Sequence, residues 1–468
     1  MTTRSIKIFI LLILLQEFTW QSFLFSQLPP KDRVIDTVKC WEQMGQSYAL
    51  YLPPQYNSNE VWPLIMIFDA SARGKSSVEI FSEAGRKYGY ILACSNNSRN
   101  GPLGNNFTAA SAMLQDLEKR FTLDQKRIYA AGFSGGSRFA IALAATQSII
   151  AGVIGCGAGL PNDNSLFPSQ KSEFVYYGVA GTRDMNYLEM NDLVSFFPNQ
   201  TRVIPFIRSF NGGHQWPDQS IITEAVEWIT LQAMNRKIIP YDKNFIATVR
   251  KKSEDLINSE LAAGNQTVAA MYMRFAVRDF QGTQFASDMA KKLSDSERSA
   301  SYRQAIKEWN GIATDEQGKK EKYFSYLNEI VYSGMFPDSA SRWWKNETEA
   351  LVKLRDNGTT GNSQMASRIL NFISILCSDQ ATALYRNKSY LQASILFEVC
   401  TISDSENPLN YYNLARALAG LDKTKESVDA LSAAINHGFN SRKTVEADPV
   451  FVRVRENGRY KTISVKLK

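Results

Sequence analysis

Residues 132–136 read Gly-Phe-Ser-Gly-Gly, a G-x-S-x-G pattern with Ser134 at its centre. A serine hydroxyl becomes an effective nucleophile when a sharp turn presents it and a neighbouring base removes its proton. Such a turn leaves no room for side chains around the serine, and Gly132 and Gly136 meet this requirement. The apolar segment 127–131 precedes the pattern and a helical pattern follows it, which predicts the strand–turn–helix setting of a nucleophile. The alternative is a glycine-rich turn with an incidental serine.

A base for this serine must come from the only two histidines of the chain, His214 and His437. His214 ends an Asn-Gly-Gly-His sequence directly after the apolar segment 203–210, where a strand is predicted to end. His437 lies in the C-terminal region, where a helix-end or solvent-exposed role is expected. Elimination therefore favours His214 as the general base, the alternative being a loop histidine without a role in catalysis.

A carboxylate must hold the imidazole in the correct tautomer and stabilise the imidazolium. Asp184 is the preferred candidate, because it follows the predicted strand 174–179 within a Gly-Thr-Arg-Asp sequence. Glu189 and Asp192 remain as alternatives, although both fall deeper in what looks like the following helix. The sequence thus predicts a Ser134–Asp184–His214 triad.

The elements that must position this triad alternate between strand and helix patterns over residues 45–236. Strand patterns cover residues 48–52, 63–68, 90–94, 127–131, 149–156, 174–179 and 203–210, and helical patterns cover 78–88, 109–121, 137–144 and 221–234. Several of the strands are continuous apolar runs, as expected for parallel strands buried on both faces. We therefore predict an α/β fold with a doubly wound, mostly parallel sheet.

From about residue 237 the strand patterns stop, and an all-α helical-repeat domain is predicted. Five apolar or small residues recur 34 positions later: Ala381, Leu384, Ala393, Phe397 and Cys400 reappear as Ala415, Leu418, Ser427, Leu431 and Ala434. A 34-residue period is the tetratricopeptide signature. Because two copies bury too little surface to be stable alone, helices in 242–370 and the tail around 448–460 are expected to complete the stack.

Residues 45–236 resemble the α/β-hydrolases, and within them the polyhydroxybutyrate depolymerase and feruloyl esterase branch. The segments that carry the resemblance are YALYLPPQY, PLIMIFDASARG, RIYAAGFSGGSRFA, GTRD and NGGHQWP. The chain order Ser134, Asp184, His214 is also the order of α/β-hydrolase triads. The resemblance covers less than half the chain and implies this fold and ester hydrolysis, without specifying the ester.

One segment departs from this family, which usually has His-Gly after the third strand where this chain has Asp69 and Ala70. By position, the backbone N–H groups of Ser71 and Gly135 would form the oxyanion hole. An inward-pointing carboxylate would oppose an oxyanion, so Asp69 is expected to point away, bound to backbone or to a cation such as Arg73 or Arg183. Four side chains near the motif loops are candidate substrate-pocket residues: Asp69, Phe107, Met185 and Trp216.

The composition argues against several other classes of protein. The net charge is only +7, and basic residues are not interleaved with stacking aromatics, so no nucleic-acid partner is predicted. Two histidines and five cysteines show no zinc spacing, and the glycines of 152–159 lack the acidic residue of a dinucleotide site, so neither metal nor cofactor is expected. Cys377 and Cys400 are expected to face each other, either as a disulfide or as buried thiols.

The first residues resemble a secretory signal. Arg4 and Lys7 precede the apolar run 8–15, and a weak cleavage site lies at Ser26. We predict a signal peptide over 1–26 and export to the periplasm or beyond, with no membrane span in the mature chain. An uncleaved signal anchor is the alternative.

The domain prediction is a catalytic domain at 27–236, a helical region at 237–370, and tetratricopeptide-like repeats with a cap at 371–468. The leading functional hypothesis is an exported serine esterase acting on a small or polymeric ester. One alternative is a binding scaffold that engages a protein partner through its repeats and carries a weak or inactive hydrolase domain. The other is a serine peptidase that uses the same triad.

Overall fold

The computed structural model describes residues 29–333 and 338–468. The predicted signal peptide, residues 1–26, lies outside these ranges. Within them, no helix combines the length and the apolar character that crossing a membrane would require.

An eight-stranded sheet forms the first part of the chain. Its strands are β1 (Val34–Lys39), β2 (Ser47–Tyr51), β3 (Trp62–Asp69), β4 (Ile91–Ser95), β5 (Leu123–Phe133), β6 (Ile150–Cys156), β7 (Val175–Gly181) and β8 (Ile204–Phe210). The order across the sheet is β1-β2-β4-β3-β5-β6-β7-β8. Among these eight strands, β2 alone has the reverse direction, so it is antiparallel to both of its neighbours, β1 and β4. The predicted doubly wound, mostly parallel sheet is confirmed.

The central strands form where the sequence is continuously apolar. Every residue of β3, β4 and β7 is buried. Successive side chains of a strand point to opposite faces of the sheet, and helices cover both faces, so water is excluded from all of them. The sequence patterns did not predict β1, whose residues VIDTVK are mostly half-buried or exposed. As an edge strand with an irregular register, β1 lacks the apolar run that identified the others.

Five helices cover the two faces: α1 (Gly74–Tyr88), α2 (Leu103–Arg120), α3 (Gly135–Thr146), α4 (Tyr187–Gln200) and α5 (Gln219–Asn235). Helices α1 and α5 close one face, where Phe81 and Trp228 join an apolar cluster. Helices α2, α3 and α4 close the other face, where Met113, Phe139 and Leu193 are buried. Each fully buried side chain of this kind stabilises the fold by roughly 1.5–3 kcal/mol, so the two clusters fix the sheet that carries the motif loops.

Twelve further helices make up the rest of the described chain. They are α6 (Lys243–Ala262), α7 (Gln266–Asp279), α8 (Gln284–Arg298), α9 (Ala300–Ser333), α10 (Asp338–Asn357), α11 (Thr360–Arg386), α12 (Tyr390–Ser403), α13 (Pro408–Gly420), α14 (Thr424–Asn436), α15 (Arg442–Ala447), α16 (Val452–Glu456) and α17 (Gly458–Ile463). Helices α11 and α13 end 34 residues apart, at Arg386 and Gly420, and α12 and α14 begin 34 residues apart, at Tyr390 and Thr424. The sequence period therefore corresponds to a repeated pair of helices.

The predicted boundary at residue 370 falls inside α11, a helix of 27 residues. Its sequence contains no proline, and its one glycine, Gly361, lies in the first turn, so nothing interrupts the helix at that point. Residue 370 therefore lies within a single helix.

The helical region packs directly on the edge strand β8. The Tyr272 hydroxyl lies 3.2 Å from the Ser209 nitrogen and accepts its N–H, and the Arg278 guanidinium donates to the Pro205 carbonyl. Unpaired backbone groups on an edge strand are a liability that a covering element removes. The buried Asp279 adds hydrogen bonds from the Trp228 indole, at 2.8 Å, and from Gln232, at 3.0 Å. The helices after residue 237 are thus fixed to the domain that contains the sheet.

Candidate active site

Ser134 occupies the turn between β5 and α3, with φ 55° and ψ −122°. A positive φ is uncommon for a residue with a side chain, and such strain persists only where the surrounding structure enforces it. A Cβ at Gly136 would collide with the Phe68 carbonyl, and one at Gly132 would collide with the backbone of Gly136. The turn therefore requires both glycines, as the sequence pattern predicted, and it lifts the serine away from the sheet.

The structure brings together the three residues of the predicted triad from three separate loops. Oγ of Ser134 lies 2.9 Å from Nε2 of His214. On the other side of the ring, Nδ1 of His214 lies 3.0 Å from both carboxylate oxygens of Asp184. These distances allow a proton to pass from the serine to the imidazole while the carboxylate fixes the ring.

The surroundings of Asp184 hold its carboxylate in place. The side chain is fully buried, and the backbone N–H of Asn186 donates to its Oδ1 at 2.9 Å. Asn186 itself is fixed by a hydrogen bond to the Gly157 carbonyl, at 2.8 Å. The imidazole of His214 packs against the Phe133 ring, with 4.8 Å between ring centroids. Both partners of Ser134 are therefore held by contacts that leave them little freedom.

The alternative candidates lie elsewhere. Glu189 forms a two-pronged ion pair with Arg138 and accepts the Gly159 N–H. Asp192 is an exposed residue of α4. His437 stacks on the Tyr411 ring in the helical region, with 4.7 Å between centroids. None of these three contacts the triad.

Asp69, at the end of β3, is buried and turned toward donors. Its carboxylate accepts two hydrogen bonds from the Arg73 guanidinium, at 2.9 and 2.8 Å, and one from the Trp216 indole, at 2.9 Å. Burial alone would raise the pKa of Asp69, but the hydrogen bonds from Arg73, Trp216 and Ser71 lower it overall. The expectation that Arg73 would neutralise this carboxylate is confirmed; Arg183 takes no part.

The two predicted oxyanion donors differ in whether their N–H groups are already hydrogen-bonded. The Ser71 N–H donates to Oδ1 of Asp69 at 2.8 Å, so in this conformation it is directed at the carboxylate. Gly135 is the first residue of α3, and its N–H therefore has no acceptor within the helix. The side-chain oxygen of Asn100 packs so closely against Gly135 that a Cβ on residue 135 would collide with it. The sequence patterns did not indicate this contact.

A cleft of about 520 Å³ opens beside Ser134 and Gly135. Other lining residues include Arg99, Asn100, Arg138, Asn162 and Met185. Of the four candidate pocket residues, Met185 lines this cleft.

The other three are not among the residues that line this cleft. Phe107 is partly buried and packs on the Phe139 ring, with 5.1 Å between centroids. Trp216 packs against Phe133 at a tilt, with 5.4 Å between centroids, and its N–H is bound to Asp69. Asp69 is itself buried.

Comparisons with known proteins found similarity only among solved structures. No protein-family model matches this chain, and no curated protein matches it significantly. The similar solved structures include several esterases and a putative dipeptidyl aminopeptidase IV from Bacteroides ovatus. A bifunctional GH43-CE protein of Bacteroides eggerthii is 14% identical, covers 44% of this chain and 39% of its own, and has a TM-score of 0.37. The feruloyl esterase module from Clostridium thermocellum is 12% identical over 42% of this chain and 89% of its own, with a TM-score of 0.34.

A third solved structure is Est1E from Butyrivibrio proteoclasticus with ferulic acid bound. It is 17% identical, covers 43% of this chain and 100% of its own, and has a TM-score of 0.33. All three similarities cover less than half of this chain, and identities this low carry no information about its substrate.

Proposed function

We propose that the protein is a carboxylic ester hydrolase that forms an acyl-enzyme on Ser134. The observation that supports this most directly is the continuous hydrogen-bonded series from Ser134 through His214 to Asp184, at 2.9 and 3.0 Å, beside an open cleft. A serine that only packs in a turn needs neither a base at hydrogen-bond distance nor a buried carboxylate behind that base.

In the proposed reaction, Oγ of Ser134 attacks the ester carbonyl carbon while Nε2 of His214 takes the hydroxyl proton. The carbonyl π electrons move to oxygen, and the Gly135 N–H stabilises the oxyanion, aided by the positive N-terminal end of α3. Collapse of this intermediate breaks the bond to the leaving alkoxide, which receives the proton from His214. Water, deprotonated by His214, then attacks the acyl carbonyl carbon; the bond to Oγ breaks, the carboxylic acid is released, and His214 returns the proton to Oγ of Ser134.

The walls of the cleft bear on the class of ester. Amide and charged side chains, including Asn100, Asn162 and Arg99, line it more than aliphatic ones do. These side chains can form hydrogen bonds with hydroxyl or charged groups of a substrate, next to the apolar surface of Leu103, Pro161 and Met185. We therefore propose a polar ester as substrate.

The alternative of a binding scaffold with a weak hydrolase domain is favoured by one observation, the engagement of the Ser71 N–H by Asp69. Loss of one oxyanion donor typically slows an enzyme by about 100- to 1,000-fold. Loss of the nucleophile costs about a million-fold. An occupied donor would therefore reduce activity without abolishing it, and we favour the enzyme.

We further propose that the chain is exported by its first 26 residues, on the basis of Arg4, Lys7 and the apolar run 8–15. The repeated helix pairs of the helical region have the period of tetratricopeptide repeats. A protein partner on that region is compatible with esterase activity.

A fluorophosphonate probe tests the proposal, because it reacts covalently with activated serines. Wild type should be labelled, and Ser134→Ala should remain unlabelled at an unchanged melting temperature. Folded wild-type protein that takes up no label would refute the hydrolase and leave the scaffold. A panel of model esters with matched leaving groups and increasingly polar acyl groups would then test the preference for a polar substrate.

A further inference from the structure

Three side chains of the helical region bind the backbone of the loop that carries Asp184. We call residues 182–185 the acid loop. Nη1 of Arg368 donates to the Thr182 carbonyl at 2.8 Å, and Nδ2 of Asn371 donates to the Arg183 carbonyl at 2.9 Å. Nζ of Lys320 donates to the Met185 carbonyl at 2.8 Å. The carbonyls on both sides of Asp184 are thus held from outside the hydrolase unit.

The donors are themselves fixed by a buried carboxylate. Glu316 is fully buried, and its Oε2 accepts from Nε and Nη2 of Arg368, at 2.8 and 2.7 Å. Its Oε1 accepts from Nζ of Lys320 at 2.7 Å. Arg368 is nearly inaccessible to solvent and lies against the Tyr187 ring, with 5.2 Å from Cζ to the ring centroid. Burying three charges is costly, and an apolar interface of the same size would avoid that cost. Unlike an apolar interface, these charged side chains provide hydrogen-bond donors that point at the acid loop.

The opposite side of the acid loop is bound to the loop that carries His214. The Thr182 N–H donates to the Phe210 carbonyl at 2.8 Å, and the Arg183 N–H donates to the Gly212 carbonyl at 2.9 Å. The acid loop is therefore held between the histidine loop and the helical region. If Arg368 moved, the acid loop alone would transmit the movement to the Asp184–His214 pair.

We propose that Arg368, oriented by Glu316 and Lys320, is a positioning residue that keeps the Asp184 carboxylate facing His214. The helical region then forms part of the catalytic geometry of the hydrolase. This inference rests on the proposed function. A misplacement of about 1 Å in a catalytic group can cost about 100-fold in rate, so loss of this support should lower kcat by roughly 10- to 100-fold without changing KM.

The variant to make is Arg368→Met together with Glu316→Gln. Arg368→Met alone would leave Oε2 of the buried Glu316 without either of its donors and would destabilise the fold, whereas the added Glu316→Gln change keeps an oxygen that can accept from Nζ of Lys320. Asn371→Leu is a second, milder variant, because it removes one hydrogen bond to the acid loop from a half-buried position. Arg416→Met is the matched control: its ion pair with Asp448 lies within the helical region and does not contact the acid loop. The control should retain wild-type kcat and KM.

A double-mutant cycle with Asp184→Asn separates positioning from general stabilisation. If Arg368 acts through Asp184, the Arg368→Met/Glu316→Gln change should alter kcat by less than about twofold once the carboxylate is gone. An equal 10- to 100-fold loss in both backgrounds would refute the proposal, as would a change in KM alone. Wild-type kcat in both the paired variant and Asn371→Leu would also refute it.

Hydrogen exchange provides a readout that does not depend on activity. The amide of Asn186, which donates to Asp184, and the amides of Thr182 and Arg183 should lose protection in the paired variant and keep it in Arg416→Met. Unchanged protection would overturn the positioning role. An inactive, unlabelled wild type with the expected exchange pattern would instead refute only the proposed function.

Discussion

The indole Nε1 of Trp216 donates a hydrogen bond to Oδ2 of Asp69, 2.9 Å away and 147 residues earlier in the chain. This contact joins the loop after His214 to the end of β3, beside the turn of Ser134. The Trp216 ring also packs on Phe81 and Phe133, with centroid distances of 5.8 and 5.4 Å. Asp69 therefore serves as a structural anchor between the two loops that flank the nucleophile.

Asp69→Asn should lower the free energy of unfolding by about 1–3 kcal/mol at pH 7, because charge-assisted hydrogen bonds from Arg73 and Trp216 are weakened. The folded-state pKa of Asp69 is lowered, so its contribution is fully present above the unfolded pKa of about 3.9. It disappears as the pH falls through the lower folded pKa. Denaturant titrations at several pH values should show a difference from wild type that shrinks below about pH 4.

Trp216→Phe is the comparison for this anchor, since it keeps an aromatic ring against Phe133 and removes the N–H donor together with part of the indole. Its loss of stability should be smaller than that of Asp69→Asn, because Arg73 still pairs with the carboxylate. A constant difference between Asp69→Asn and wild type from pH 7 to pH 3 would contradict the assigned ionisation.

Asp184→Asn should lower kcat by about 10,000-fold, because an amide no longer stabilises the imidazolium of His214 and can hold the ring in the wrong tautomer. Asp192→Asn, an exposed change on α4, is the matched control and should retain activity within about twofold. Steady-state kinetics on one activated ester would check both. Comparable losses in the two variants would show that Asp184 has no special role.

Gly136→Ala should destabilise the protein by about 3 kcal/mol and greatly slow fluorophosphonate labelling. The new Cβ would collide with the Phe68 carbonyl oxygen, a backbone atom of the central strand β3 that cannot move aside without distorting the strand. Gly311→Ala on α9 is the control: its Cβ would meet open space, and alanine favours the helix by up to about 1 kcal/mol. Thermal unfolding and labelling rates would measure both effects, and a Gly136→Ala protein as stable and reactive as wild type would contradict the tight turn.

The five cysteines should be unreactive toward a thiol reagent in the native state and should all react in concentrated guanidinium chloride. All five are free and buried in the structure. Burial raises the pKa of Cys40 to about 11 and raises the pKa of the Cys377 and Cys400 thiols as well, so the reactive thiolate is scarce at neutral pH. Only three reactive thiols after unfolding would instead reveal a disulfide between Cys377 and Cys400.

The sequence alone determined the α/β class and the alternation of elements, because continuous apolar runs and 3.6-residue periods record which faces are buried. It also predicted the serine turn, since only glycine fits where Gly136 passes the backbone of Phe68. The choice of His214 and Asp184 followed from scarcity and from position after a strand. Strand β1 was missed because an irregular edge strand carries no continuous apolar pattern.

Only the tertiary structure decided which backbone and side-chain groups meet across long stretches of chain. The Ser71 N–H to Asp69 bond spans two residues and is a local Asx turn, but the Trp216 indole that binds the same carboxylate lies 147 residues away and no local pattern indicates it. The contact of Arg368 with Thr182 joins residues 186 positions apart. Such contacts depend on how the helical region packs against β8, and a sequence records the burial of each residue without recording its distant partner.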